Sequence, residues 1–212
     1  MNKPVIVLGA GGHAKVIVEA LRRSSIIIIG LTDILPEKKG ASLSGAPVIG
    51  DDSAVLGYSP EDVLLANGIG STGLPEERRR IFEGFKEKGY MFASVLHPSA
   101  VVSSDVLVSE GAQVMAGAVI QPGCVIGRNA IINTSASIDH DAVIGDHVHI
   151  APGATISGAV RVGSGTHIGA GATVIQGITI GSGCVVGAGS LVIRDVAGNS
   201  TVMGAPAKEV RR

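Results

Sequence analysis

From Val102 to Val192 every sixth residue is Val or Ile, sixteen times in one phase without a miss. Val and Ile make up about a quarter of the chain, so sixteen consecutive hits exclude chance. Four residues after most of them stands a small side chain, among them Ala112, Ala118, Cys124, Ala130, Ala136, Ala142, Ala154, Thr166, Ala172 and Cys184. A period of six fits neither a helix nor an alternating strand. It fits a β-solenoid of short flat rungs, with stacked aliphatics inside and small residues beside them. With three rungs per coil, residues eighteen apart become neighbours about 4.8 Å apart, and sixteen rungs make a prism roughly 25 Å tall.

The 31 Gly, two Tyr, three Phe and absent Trp suit such a narrow core. A formal charge of −1 gives no electrostatic attraction to nucleic acid or to an anionic membrane. No apolar run reaches the roughly eighteen residues of a membrane span, and the apolar start runs into a Gly-rich turn, unlike a signal peptide. Cys124 and Cys184 share the small inward position and are expected to be reduced core residues of a cytoplasmic protein.

Residues 1–96 follow a different grammar, that of a small Rossmann-like α/β domain; residues 97–212 hold the solenoid and a tail. Val5–Leu8 reads as a strand ending in Gly9-Ala10-Gly11-Gly12-His13-Ala14, followed by a helix over 15–23 and a buried strand over 26–31. A strand over 63–67 ends in Gly68-Ile69-Gly70-Ser71, a helix spans 75–88, and 91–96 closes the sheet, with a hinge at His97-Pro98. The Gly9-x-Gly11-x-x-Ala14 turn with Asp33 about twenty residues on matches a dinucleotide fingerprint weakly. A redox enzyme would need a second domain able to support hydride transfer, and the solenoid is a poor one.

His140 stands out among six histidines, because Asp139 and Asp141 flank it and can orient its ring and stabilise its cation. Gly158, eighteen residues on, stands beside it on the next coil. His149 and His167, also eighteen apart, are expected to stack; His147 is read as a solvated corner residue. A zinc site would need imidazoles converging on one open position, and His140, His147 and His149 lie on different rungs, so no metal is expected.

The segments GAGGHAK, ANGIGS, HPSA, NTSASIDHD and GAPAK, in that order, span nearly the whole chain. This series resembles the hexapeptide-repeat acyltransferases that acetylate nucleotide-linked 4-amino-4,6-dideoxysugars, and the similarly laid out sialic acid O-acetyltransferase-like proteins. The resemblance implies a left-handed parallel β-helix and a homotrimer with acetyl-CoA between adjacent helices. It makes His140 the general base, supported by Asp141 where the family usually carries Glu, with Asn133 nearby. It assigns acetyl-CoA to His149, the Gly158 amide as oxyanion donor, and a ladder of small residues formed by Gly158, Ala170 and Ala188. It places the diphosphate at the amides of Gly11, Gly12 and His13, gives Asp33 the base or ribose, and lines the crevice with Gly70 and Ser71. The amino sugar would then reach His140 of a neighbouring subunit. The reaction expected is direct acetyl transfer to the 4-amino group of a UDP-linked sugar of bacillosamine type, for a bacterial surface glycan or glycoprotein. Asp139, Asp141 and Asp146 suit a cationic amine better than the carboxylate of sialic acid, so sialic acid O-acetylation stands second. A non-catalytic nucleotide-sensing trimer stands third.

Overall fold

The computed structural model describes residues 3–210. The N-terminal region is a five-stranded sheet of β1 (Val5–Leu8), β2 (Ile28–Thr32), β3 (Ser42–Leu43), β4 (Ala46–Gly50) and β5 (Leu64–Asn67), in the order β3-β4-β2-β1-β5. The pairings of β1 with β2, of β1 with β5 and of β2 with β4 are parallel, as the alternation of strand and helix requires. The β3–β4 hairpin is antiparallel and extends the edge beyond the expected strands. Helix α1 (Gly12–Arg23) buries Ala14, Ile17, Val18 and Leu21, a 3.6-residue stripe, against one face of the sheet. Helix α2 (Glu76–Glu87) buries Ile81, Phe82 and Phe85 on another stripe. The strand expected over 26–31 starts later, at Ile28, and Ile27 is exposed.

The solenoid has three faces. Face 1 contains Val95–Leu96, Gln113–Val114, Ile131–Ile132, His149–Ile150, His167–Ile168 and Val185–Val186; face 2 runs from Val101–Val102 to Leu191–Val192, and face 3 from Leu107–Val108 to Thr179–Ile180. Each strand pairs in parallel with the one eighteen residues on, as in Ile120↔Ile138 and Ile138↔Ile156. The stacked Val and Ile, with the Ala and Cys beside them, form one continuous buried core. Both cysteines are buried and free. The coil turns at every sixth residue from Gly111 to Gly189, and each of these has positive φ. Glycine meets that requirement without a Cβ penalty; at five turns another residue takes the conformation, namely Asn129, Ser135, Asp141, His147 and Ala159.

Two details differ from the sequence expectation. The segment 91–96 divides between two sheets: Phe92 bridges to Leu65, whereas Val95–Leu96 already pairs with Gln113–Val114 of face 1. The final turn is short, with Val185 opposite Thr201, sixteen residues on. This brings the tail back antiparallel, Lys208–Glu209 on Thr201–Met203, over the end of the prism.

The N-terminal region lies on face 1. Outward-pointing Gln113, Ile131, His149 and His167 of that face are buried, while Leu107, Arg161 and Thr179 of face 3 are exposed. Met115 joins the apolar cluster formed by α1 and the sheet.

Candidate active site

Two constellations lie on opposite sides of the prism. The first is a cavity of about 690 Å³ between the N-terminal region and face 1, lined by Gly11, Gly12, His13, Ser71, Asn133 and His149. It opens where the chain leaves β1 and β5, neighbouring strands whose connections run to opposite sides, the position at which open α/β sheets bind ligands. Gly11 caps α1, so the first amides of that helix lie at its N-terminus, an environment that suits an anion. Gly70 also lines the cavity, and a Cβ there would lie 3.2 Å from His13 Cβ. Asp33 lines an adjoining cavity of about 430 Å³ that shares Gly11 and Ile69 with the first. Its carboxylate accepts bonds from Lys38 Nζ at 2.7 Å and Leu35 N at 3.0 Å.

Amide side chains set the histidines of this cavity. Gln113 Nε2 donates to Asn67 O, which leaves Gln113 Oε1 to accept from His13 Nε2 at 2.8 Å. Burial, aided by the Arg78 charge, lowers the His13 pKa to about 4, so the ring is neutral near pH 7. His149 bonds Ser71 Oγ through Nδ1 at 2.9 Å and Asn133 Nδ2 through Nε2 at 3.0 Å. Burial first, then the neighbouring His167, His13 and Arg78, lowers its pKa to about 3. The stack of His149 on His167 forms as expected, edge to face with ring centroids 4.9 Å apart.

Arg78, fully buried, ties this wall together. Nη1 donates to Asn67 O and Ile69 O, and Nε to Asn129 O. Burial lowers its pKa to about 9, which leaves it charged at neutral pH. Arg78, Asn67, Gln113 and Asn129 had no assigned role in the sequence reading, and His147 was misread. That histidine is buried, not solvated: Nε2 meets Glu83 Oε1 of α2 at 3.0 Å and Nδ1 meets Asn129 Nδ2 at 3.0 Å. The docked α2 covers the corner that the solenoid alone would leave wet. Asn129 and His147 did carry a signal, since both occupy turn positions where the repeat otherwise favours Gly.

The second constellation is the corner between faces 2 and 3. His140 Nδ1 lies 2.9 Å from Asp141 Oδ2, and Asp139 Oδ1 accepts from the His140 backbone amide. The carboxylate accepts a hydrogen bond from Nδ1–H and so leaves Nε2 with its lone pair, the arrangement of a base. The Asp141 hydrogen bond, helped by the Asp139 charge, raises the His140 pKa above its ordinary value. Gly158 lies beneath the ring as expected, but the ring fills the space: a Cβ on Gly158 would stand 2.6 Å from Nε2. Among the described residues the Gly158 N–H makes no hydrogen bond. Asp146 does not share this acidic corner, because it holds Arg128 at 2.8 Å elsewhere on the prism.

Not every expected grouping forms within one chain. Asn133 sits at the corner between faces 1 and 2, away from His140. Ala170 and Ala188 stack at that same corner on successive coils, but Gly158, twelve residues before Ala170, is two rungs away at the other edge of face 2. Twelve residues are not a whole coil, so the three do not make a single ladder. Among the described residues no group of three His, Cys, Asp or Glu side chains could hold a metal ion, and no helix is long and apolar enough to cross a membrane.

A small α/β domain with a crevice at its strand ends, docked on a β-helix of hexapeptide rungs, defines a hexapeptide-repeat transferase. Residues 4–85 match the PglD N-terminal domain, and residues 123–158 and 159–194 each match the six-repeat bacterial transferase hexapeptide model. PerB from Caulobacter crescentus, solved with CoA and GDP-perosamine, is 37% identical with a TM-score of 0.91, over 100% of this chain and 99% of that one. The acetyltransferase domain of PglB from Neisseria gonorrhoeae, solved with acetyl coenzyme A, is 36% identical with a TM-score of 0.92, over 99% and 100%. WeeI from Acinetobacter baumannii is 25% identical with a TM-score of 0.88, over 99% and 100%. The chain belongs to the hexapeptide acyltransferase family, among the left-handed β-helix sugar N-acetyltransferases that carry a PglD N-terminal domain.

Proposed function

We propose that this protein transfers the acetyl group of acetyl-CoA to the 4-amino group of a nucleotide-linked 4-amino-4,6-dideoxysugar, with His140 as the general base. The observation that carries this reading is the His140 corner: an exposed imidazole whose Nδ1 is held by Asp141 and whose Nε2 lies over Gly158. A sugar amine is largely protonated near neutrality and attacks only as the free amine. Nε2 takes the proton as the nitrogen bonds to the thioester carbon, and the collapsing tetrahedral intermediate expels the CoA thiolate. General-base assistance of this kind is worth about 10²–10⁴-fold. The free Gly158 amide is suited to donate to the oxyanion.

The nucleotide belongs in the domain cavity, with its diphosphate at Gly11, Gly12 and His13, Gly70 and Ser71 on the far wall, and Asp33 toward the nucleoside. In a three-sided prism the corner between faces 2 and 3 is the edge opposite face 1. A sugar held at face 1 is therefore remote from His140 of its own chain, which favours a homotrimer in which a neighbour supplies His140. The same arrangement brings Gly158 of one subunit towards Ala170 and Ala188 of the next, the walls we assign to acetyl-CoA; His149, expected there as well, has both ring nitrogens bonded inside the domain cavity. Both substrates are cytoplasmic metabolites, and so we place the protein in the cytoplasm. UDP is the nucleotide implied by the sequence resemblance, whereas PerB was solved with GDP-perosamine.

Turnover of acetyl-CoA with UDP- and GDP-linked 4-amino sugars and with free sialic acid tests the reading. Wild type should acetylate a nucleotide-linked amine, and His140→Ala should lose about 10²–10⁴-fold in kcat while still binding CoA. Equal rates in the two proteins, or acetylation of sialic acid alone, would overturn it.

A further inference from the structure

The cavity wall opposite α1 contains a chain of three side chains whose hydrogens can be assigned from the bonds they make. Asn133 Oδ1 accepts from the Thr134 backbone amide at 2.8 Å. A backbone N–H can only donate, so the amide is oriented with Nδ2 toward His149. Nδ2 can only donate as well, so His149 Nε2 must be the acceptor, 3.0 Å away. The neutral ring then carries its proton on Nδ1, which donates to Ser71 Oγ at 2.9 Å. Ser71 accepts this bond, and its own O–H is left to donate. Ser71 lines the cavity, facing the space bounded by Gly11 and Gly12.

We propose that Asn133 and His149 are positioning residues for nucleotide-sugar binding: they fix the Ser71 hydroxyl as a one-way donor toward an anionic oxygen of the diphosphate. This rests on the nucleotide-sugar reading above and adds a directed donor to it. The low His149 pKa, set by burial and by His167, His13 and Arg78, keeps the ring neutral, as the relay requires. A protonated ring would have no acceptor for Asn133 and would break the chain at its first link. The relay also crosses the domain junction, since Asn133 and His149 belong to the solenoid and Ser71 follows β5. A ligand bound by Ser71 is thereby registered to the β-helix and not only to the domain that holds its phosphates.

Asn133→Asp reverses the direction of every bond in the chain. The carboxylate accepts from Nε2–H, Nδ1 becomes the acceptor, and Ser71 must turn its hydrogen inward. Nitrogen-15 NMR of the full-length protein reads the tautomer directly: wild type should show His149 protonated at Nδ1, and Asn133→Asp should show it protonated at Nε2. Calorimetry with GDP and UDP should show Ser71→Ala and Asn133→Asp each weakening nucleotide binding by about ten- to a hundredfold, the range for a hydrogen bond to a charged oxygen. In the Ser71→Ala background, Asn133→Asp should add little. The proposal is overturned by an Nε2–H tautomer in wild type or by full nucleotide affinity in Ser71→Ala. An undiminished effect of Asn133→Asp without the Ser71 hydroxyl would equally overturn it, since the loss would then be charge repulsion. If wild type binds neither GDP nor UDP, the nucleotide reading itself fails, while the ligand-free NMR comparison still decides whether the relay exists.

Discussion

His140 and His149 lie nine residues apart in the solenoid, one at a corner and one in a strand of face 1, and the fold drives them in opposite directions. His149 lies under the N-terminal region, and burial takes its pKa down to about 3. His140 stands at an exposed corner, where the Asp141 hydrogen bond and then the Asp139 charge raise its pKa. One imidazole is neutral and bonded at both nitrogens; the other keeps a free lone pair on Nε2, as the base we propose requires. One solenoid supplies both imidazoles, and what covers each of them decides its chemistry.

The largest effect should come from separating the two regions onto different chains. His140→Ala removes the proposed base. Gly12→Asp places a negative charge where the diphosphate should sit, in open space and at a helix N-terminus that tolerates an acid. Each variant alone should be inactive, and refolding the two together should restore activity through sites that draw one half from each subunit. Mixtures as inactive as their parents would show that one chain carries the whole site. Next in size is Gly158→Ala, whose Cβ would meet the His140 ring at 2.6 Å. Displacing a reacting group by about 1 Å costs on the order of 10²-fold, so kcat should fall by about that factor; an unaltered kcat would remove His140 from the reaction.

Smaller effects sharpen the contrast through pH. The acid limb of kcat should lie above pH 6.5, because the His140 pKa is raised, and Asp141→Asn should move it to lower pH by removing the principal cause. Stability also falls on the acid side, but at lower pH, because there the shifts run downward. His13, His149 and His167 have folded pKa values below the unfolded 6.5, so the unfolded chain binds more protons. Their contribution is fully present above about pH 6.5 and is lost as pH falls toward 4 and below. A thermal melt that drops across this range in wild type and less steeply in His149→Gln would bear this out; parallel curves would not.

Much of the site was legible beforehand because an eighteen-residue coil converts sequence distance into adjacency. His140 over Gly158 and His149 on His167 follow from that arithmetic. The same arithmetic separates Gly158 from Ala170, two rungs and one corner apart. His147 was beyond its reach, since its solvent is replaced by Glu83, sixty-four residues earlier. Arg78, Gln113 and Asn67 were also beyond it, because they bond across a junction that no period describes. The Gly-phase turns at Asn129 and His147 were the only local hint, a positive φ taken by residues that accept it less readily than Gly.

The sequence by itself determined the solenoid, its register, the Rossmann-like sheet and the His140–Asp141 pair, because each depends on short-range periodicity or on adjacent residues. Tertiary structure decided which face of the prism the N-terminal region covers. That docking sets which histidines are dry and neutral, places the cavity opposite His140, and orients the Asn133–His149–Ser71 chain. Burial and hydrogen-bond direction depend on partners far away in sequence, and only the assembled fold brings those partners together.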